Sequence, residues 1–271
     1  MKIIKNRHKL KELISYNKNL SFVPTMGGLH KGHLSLIKKA KNKTRKVIVS
    51  LFVNPRQFNS KNDLIKYPKN IKKDLLILKK INPDYLYLPT FKDLFAFKTK
   101  NKIYIDKFEK KLCGKFRQGH FKGVIDAVNR FLEIIKPRYI FLGKKDYQQI
   151  YLIKKHIEKN NIKTSIIECK TIRDKNGLAY STRNKILNKK QLLLASKIIK
   201  LIKKEKLLYK KNNKKIDLEK LKSKIKKLNI KNIQYLVSLN IKTFKKEINP
   251  KKNFNIFIAF YIDKIRLIDN V

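Results

Sequence analysis

A chain of 271 residues with 42% hydrophobic side chains can bury a substantial core, as one large domain or two modest ones. Its two cysteines, Cys113 and Cys169, are far apart and outside any C-x-x-C pair, which argues against a disulfide framework or a metal knuckle and fits a reducing cytoplasm. The formal net charge of +50 suggests an anionic partner, but the lysines are scattered among Ile and Asn along the whole chain, as an A/T-biased genome would produce, and no nucleic-acid reading element accompanies them. Salt-sensitive, nonspecific binding to polyanions is therefore expected, and no specific nucleic-acid partner.

In chain order, residues 1–20 alternate lysine with isolated apolar positions and contain neither a secretory signal nor a membrane span. The apolar run 20–23 predicts a strand. It leads into Pro24-Thr25-Met26-Gly27-Gly28-Leu29-His30-Lys31-Gly32-His33 and an amphipathic helix over 34–43. Gly27, Gly28 and Gly32 allow a tight turn and close approach to a ligand, and the helix opening near Gly32 directs N–H groups and a positive dipole end toward an anion. His30 and His33, three apart, would share a face and reach one phosphate. A bare H-x-G-H is equally compatible with a surface turn carrying two solvated histidines.

The strand predicted over 47–53 closes on Asn54-Pro55-Arg56-Gln57-Phe58, where Pro55 ends the ladder and Gln57 offers both a donor and an acceptor. Alone, N-P is an ordinary turn signal. A helix over 71–80 and a strand over 85–88 follow, the latter ending on Pro89-Thr90-Phe91. Arg117-Gln118-Gly119-His120-Phe121-Lys122-Gly123 opens a helix over 123–135 and suits either an anion site or a helix cap.

The strand over 139–142 runs into Gly143-Lys144-Lys145-Asp146-Tyr147-Gln148-Gln149 and a helix over 147–159. Here Gly143 would permit close backbone approach, Lys145 would place a point charge on phosphate oxygens, and Asp146 would cap the helix and orient ligand or magnesium. A strand over 165–169 precedes a last cluster, Arg173, Gly177 and Tyr180-Ser181-Thr182-Arg183-Asn184, in which the Arg183 fork suits the β- and γ-phosphates of a nucleotide. Beyond it lie lysine-rich helices over 191–204 and 218–228 and alternating runs at 233–239, 254–261 and 264–268.

Strand–helix alternation predicts an α/β, Rossmann-like parallel sheet over 1–176, with a small α+β domain over 177–271. The unusual polar sequences directly follow the strands. In an open α/β sheet they should converge on one crevice.

The motifs P-T-M-G-x-L-H-x-G-H, N-P-x-Q-F, G-x-K-D-x-Q-Q and R-x-x-x-G-L-A-x-S-S-R-N, in that order over residues 21–187, resemble the pantothenate synthetase family. That family belongs to the nucleotidylyltransferase-like superfamily and shares H-x-G-H with class I aminoacyl-tRNA synthetases. Gln118 stands where the family has proline and Thr182 where it has a second serine; beyond residue 187 only Arg266-Leu267-Ile268-Asp269-Asn270 echoes it.

The resemblance implies a cytoplasmic, homodimeric, ATP-dependent ligase that joins pantoate to β-alanine through an enzyme-bound pantoyl adenylate, releasing AMP and pyrophosphate. It also implies that Met26, Gly27, Gly28, Leu29, His30, Lys31, Gly32 and His33, with Gly143, Lys144, Lys145 and Asp146 and with Tyr180, Ser181, Thr182 and Arg183, hold ATP, and that Ile172 contacts adenine. Gln57 and Gln149 would bind pantoate, and Gln57 also β-alanine. His30, His33, Lys145 and Arg183 would stabilise charge during transfer. Magnesium would ride mainly on the ATP phosphates with no dedicated protein site, and the second domain would act as a lid hinged near 173–180. The alternatives are another H-x-G-H adenylyl- or cytidylyltransferase, or a basic nucleic-acid-binding protein on the same fold.

Overall fold

Two short elements that periodicity alone does not reveal begin the chain. These are β1 (Lys2–Ile4) and α1 (Arg7–Ile14), the latter capped by Asn6, whose side chain accepts the His8 and Lys9 N–H groups. The computed structural model describes residues 1–17, 19–249 and 251–271 and divides into two units, Met1–Ile172 and Arg173–Val271.

The first unit continues through β2 (Leu20–Thr25), α2 (Lys31–Lys43), β3 (Lys46–Leu51), α3 (Lys61–Ile65), α4 (Ile71–Ile81), β4 (Tyr85–Tyr87) and α5 (Phe91–Phe95). It ends with α6 (Leu112–Phe116), α7 (His120–Ile135), β5 (Tyr139–Gly143), α8 (Tyr147–Lys159) and β6 (Ser165–Cys169). The six strands form one parallel sheet in the order β1-β4-β3-β2-β5-β6.

Side chains alternate across the central strands, so Phe22 and Ile48 join the layer with Phe131, Ile135 and Ile153, while Val23 and Val49 join Ile37, Ala40 and Leu78 on the other face. Burial on both faces is why these strands read as continuous apolar runs. Strand order reverses between β2 and β5, and this switch point places the loop after β2 and the turn after β5 side by side at the carboxyl edge.

Two helices start earlier than periodicity predicts. α2 begins at Lys31, because Lys31, Gly32 and His33 carry no apolar signal yet form its first turn, and α7 begins at His120, after Gly119 in the left-handed region at φ +73.

Between α7 and α8 lies a buried polar chain. The Tyr104 N–H donates to His156 Nδ1 (3.2 Å), so Nε2 carries the proton and donates to Asn129 Oδ1 (3.1 Å). Asn129 in turn donates to Glu133, which also accepts the Lys100 and Asn101 N–H groups. Burial lowers the imidazole pKa below its ordinary 6.5. With the folded value depressed, the unfolded chain takes up the proton first. Stability is therefore unaffected above about pH 6.5 and falls as pH drops below it. In urea titrations, His156→Gln, which cannot titrate, should lose less stability than the parent chain between pH 7 and 5; parallel losses would contradict this.

The second unit holds α9 (Lys189–Lys211), α10 (Leu218–Lys226) and a three-stranded antiparallel sheet of β7 (Ile233–Asn240), β8 (Phe254–Ile262) and β9 (Ile265–Asn270) in that order. An Asn188–Gln191 capping box starts α9. The core of the unit packs Ile198 and Ile202 of α9 and Leu221 and Ile225 of α10 with Ile256, Ile258 and Phe260 of β8. Among the described residues, no helix is long and apolar enough to cross a membrane.

Candidate active site

The turn after β2 is fixed from below. Thr25 Oγ1 donates to the Ser50 carbonyl (2.7 Å) and accepts the Gly27 N–H (3.3 Å), and Gly27 and Gly28 both lie in the left-handed region, at φ +79 and +63. The Gly28 and Leu29 N–H groups donate to the two oxygens of Asp74, at 2.7 and 2.8 Å. Those amides thus grip a buried carboxylate, and the glycine pair makes the tight turn expected of it. Leu29 anchors the loop in the core beside Ile37 and Leu78. His30 enters α2 in extended conformation, and its ring stacks on His33 with centroids 3.9 Å apart and planes 19° apart. Both imidazoles are half-buried and Lys31 is exposed.

Beyond β3, buried Asn54 accepts the Arg56 N–H and donates to the Gly123 carbonyl of α7 (2.9 Å). A Cβ on Gly123 would fall 2.2 Å from the Arg56 carbonyl oxygen, so this helix needs glycine for backbone-to-backbone contact. Arg56 pairs with Asp126 (2.8 Å) and lies over the Phe95 ring, tying the loop to α7 and α5.

Gln57 Nε2 reaches Met26 Sδ at 2.7 Å, linking the loop after β3 to the loop after β2. The Gln57 carbonyl is held by His120 Nδ1 (2.7 Å) and Arg117 Nη2 (3.1 Å). Facing a carbonyl, Nδ1 carries the proton, so Nε2 accepts from Arg117 Nη1 (3.0 Å). The R-Q-G-H segment thus braces the backbone that presents Gln57.

After β5, Gly143 has ordinary extended angles, and an added Cβ there would meet no protein atom within 4 Å. Lys144 pairs with Glu168 (3.5 Å), and Lys145, with a largely buried side chain, with Asp146 (3.2 Å). Asp146 occupies the cap position of α8 but makes no capping bond, which corrects the expected cap; its carboxylate faces the Lys145 ammonium.

Of the two glutamines, sequence reasoning passes over the one with the larger structural role. Buried Gln148 accepts the Cys113 N–H and donates to the Phe108 and Lys111 carbonyls, and none of these bonds uses half-buried Gln149. Ile172, half-buried, closes the unit.

In the second unit, residues 173–179 form a tight hairpin. Arg173 bridges Ala179, Gly177 turns at φ +86, and the Asp174 carboxylate accepts the Asn176 and Leu178 N–H groups. Arg173 makes a bidentate pair with Asp269 at 2.6 and 2.9 Å and donates to the Asn270 carbonyl. The terminal R-L-I-D-N motif is thereby the seat of the hairpin. Ser181 caps the turn Thr182–Ile186 by accepting the Arg183 N–H; Thr182 is buried, while Tyr180 and Arg183 are half-buried.

An open parallel sheet whose switch point carries a stacked H-x-G-H pair and, on the neighbouring strand, a G-x-K-D turn is an α/β, Rossmann-like architecture with its polar loops at the carboxyl edge, where such sheets bind ligands. The family model for pantoate-β-alanine ligase matches residues 2–271. A pantothenate synthetase from Francisella tularensis subsp. novicida (strain U112) is 40% identical over 98% of this chain and 94% of its own length.

Among solved structures, the pantoate-β-alanine ligase of Francisella tularensis, complexed with β-γ ATP and β-alanine, superposes with a TM-score of 0.85 at 38% identity, covering 100% of this chain and 97% of that one. The pantothenate synthetase of Thermus thermophilus shares the fold at TM-score 0.93 and 24% identity, over 100% of this chain and 99% of that one. The chain belongs to the pantoate-β-alanine ligase family, whose members form a carbon–nitrogen bond.

Proposed function

We propose that the chain condenses pantoate with β-alanine in two steps in one crevice. A pantoate carboxylate oxygen attacks the α-phosphorus of ATP, the bond to the β-phosphate oxygen breaks, and pyrophosphate leaves. The β-alanine amine then attacks the acyl carbon of pantoyl adenylate, loses a proton, and expels AMP. Neither step needs a protein nucleophile, so the enzyme contributes positioning and charge stabilisation. The observation that carries this reading is the stacked His30–His33 pair at the start of α2, on the switch point of the sheet.

In this reading the helix start from Lys31 to His33, with Met26 to His30, receives the phosphates, and His30 and His33 stabilise the charge that develops as pyrophosphate departs. Lys145 supplies a point charge, with Gly143, Lys144 and Asp146 around it. Gln57, held against Met26, orients pantoate and then β-alanine, and Gln149 takes a second pantoate contact. Ile172 contacts adenine, and Tyr180, Ser181, Thr182 and Arg183 hold ATP, with the Arg183 fork on its β- and γ-phosphates.

We place magnesium on the ATP phosphates, since that ion keeps most of its waters and takes few protein carboxylates. Half-exposed Asp146 is the acidic group of the G-K-K-D turn suited to orient it. A reducing cytoplasm suits the buried cysteines Cys113 and Cys169, which are not joined in a disulfide, and a homodimer follows the family resemblance. The alternative of another H-x-G-H transferase differs in the acceptor and is not favoured by a family match over the whole chain.

Product stoichiometry tests the reading. One AMP and one pyrophosphate should appear per pantothenate, and neither without pantoate. Arg183→Ala should slow ATP use and raise AMP above pantothenate, because an activated acyl phosphate left open to water hydrolyses. A ratio that stays at unity with only the rate reduced would make Arg183 a phosphate ligand and nothing more.

A further inference from the structure

Asp74 is 2% exposed and comes from α4, about a turn past that helix's start and far in sequence from the loop it touches. Its two oxygens accept the consecutive N–H groups of Gly28 and Leu29 at 2.7 and 2.8 Å. The first position at which α2 can begin lies just beyond this grip, with His30 between.

The carboxylate also explains Gly27, because a Cβ there would come within 2.9 Å of Asp74 Oδ2. Asp74 is itself held. Asn70 caps α4 by accepting the Lys73 N–H, the Asp74 N–H donates to the Asn70 carbonyl, and Leu78 one turn on is buried in the core that also takes Leu29. Two adjacent N–H groups aimed at one side chain require two acceptors and no donor, which at this size only a carboxylate provides.

We propose that Asp74 is a positioning residue for adenylation, a strut from α4 that fixes the Gly28–Leu29 turn and thereby the placement of the His30–His33 pair. The proposal rests on the role given above to those histidines. Asp74 touches no reacting group in this account; it acts through the loop, and removing it should cost rate only as far as the histidines are misplaced.

A double-mutant cycle in pantoate-dependent exchange of labelled pyrophosphate into ATP separates this from a purely structural role. Asp74→Asn keeps the shape but sets an amide donor against one of the N–H groups, and is expected to lower the exchange rate by about tenfold. In a His33→Ala background the same change should lower the residual rate by less than about twofold, because the placement it disturbs no longer matters. Should Asp74→Asn fail to fold, Asn70→Ala, which removes the cap of α4 without touching the loop, takes its place, with a smaller effect that also disappears in His33→Ala. Equal fold-losses in both backgrounds, or no loss from Asp74→Asn in folded protein, would overturn the proposal. If His33→Ala alone left exchange intact, it is the histidine role that would fail, so the two failures are distinguishable.

Discussion

Replacing His33 with alanine is expected to reduce pantoate-dependent adenylate formation by about 100-fold or more, the usual scale for losing one preorganised donor at a developing charge. His33 sits in the first turn of α2, half-buried, with its ring against that of His30. Its removal takes away both a donor and the neighbour that orients the second imidazole. The loop itself stays in place, because Thr25, Asp74 and buried Leu29 hold it. Thermal unfolding should therefore be nearly unchanged while the exchange rate collapses. Retention of wild-type exchange would remove the histidines from the chemistry.

The second large effect concerns stability. Asp269 is 4% exposed and receives both ends of the Arg173 fork, while Arg173 also donates to the Gly177 and Asn270 carbonyls. Asp269→Ala leaves a guanidinium enclosed without its counter-charge, a change that costs about 3–5 kcal/mol in comparable buried pairs. Replacing both partners at once, as in Arg173→Met with Asp269→Leu, should cost much less, because no charge is stranded. Urea unfolding of the single and double variants checks this, and a double variant as unstable as the single one would contradict it.

How far the molecule is legible from its sequence follows from what each residue does. Strands buried on both faces, such as those carrying Phe22–Val23 and Ile48–Val49, announce themselves as apolar runs. The loops at their ends stand out through glycine, proline and histidine in a recognisable order. Support from a distance stays hidden. Asp74 reads as an ordinary acidic residue in the first turn of a lysine-rich helix, and nothing local marks it as the acceptor for Gly28 and Leu29. Arg173 and Asp269 each belong to a recognisable motif, but their pairing spans 96 positions. Gln148 and Gln149 differ only in which side of α8 they occupy, so their separate roles emerge from packing against residues 108–113. The strand β1, at three residues, is too short for any period to show.

Formation of an acyl adenylate of pantoate is the step on which the proposed reaction turns, and isotope exchange measures it without the second step. Purified protein is incubated with ATP, magnesium, labelled pyrophosphate and no β-alanine, once with pantoate and once with other hydroxy acids or with nucleotide-accepting phosphates. Label is expected to enter ATP with pantoate and at background rate otherwise. Exchange that is independent of pantoate, or that is supported better by a different acceptor, would contradict it.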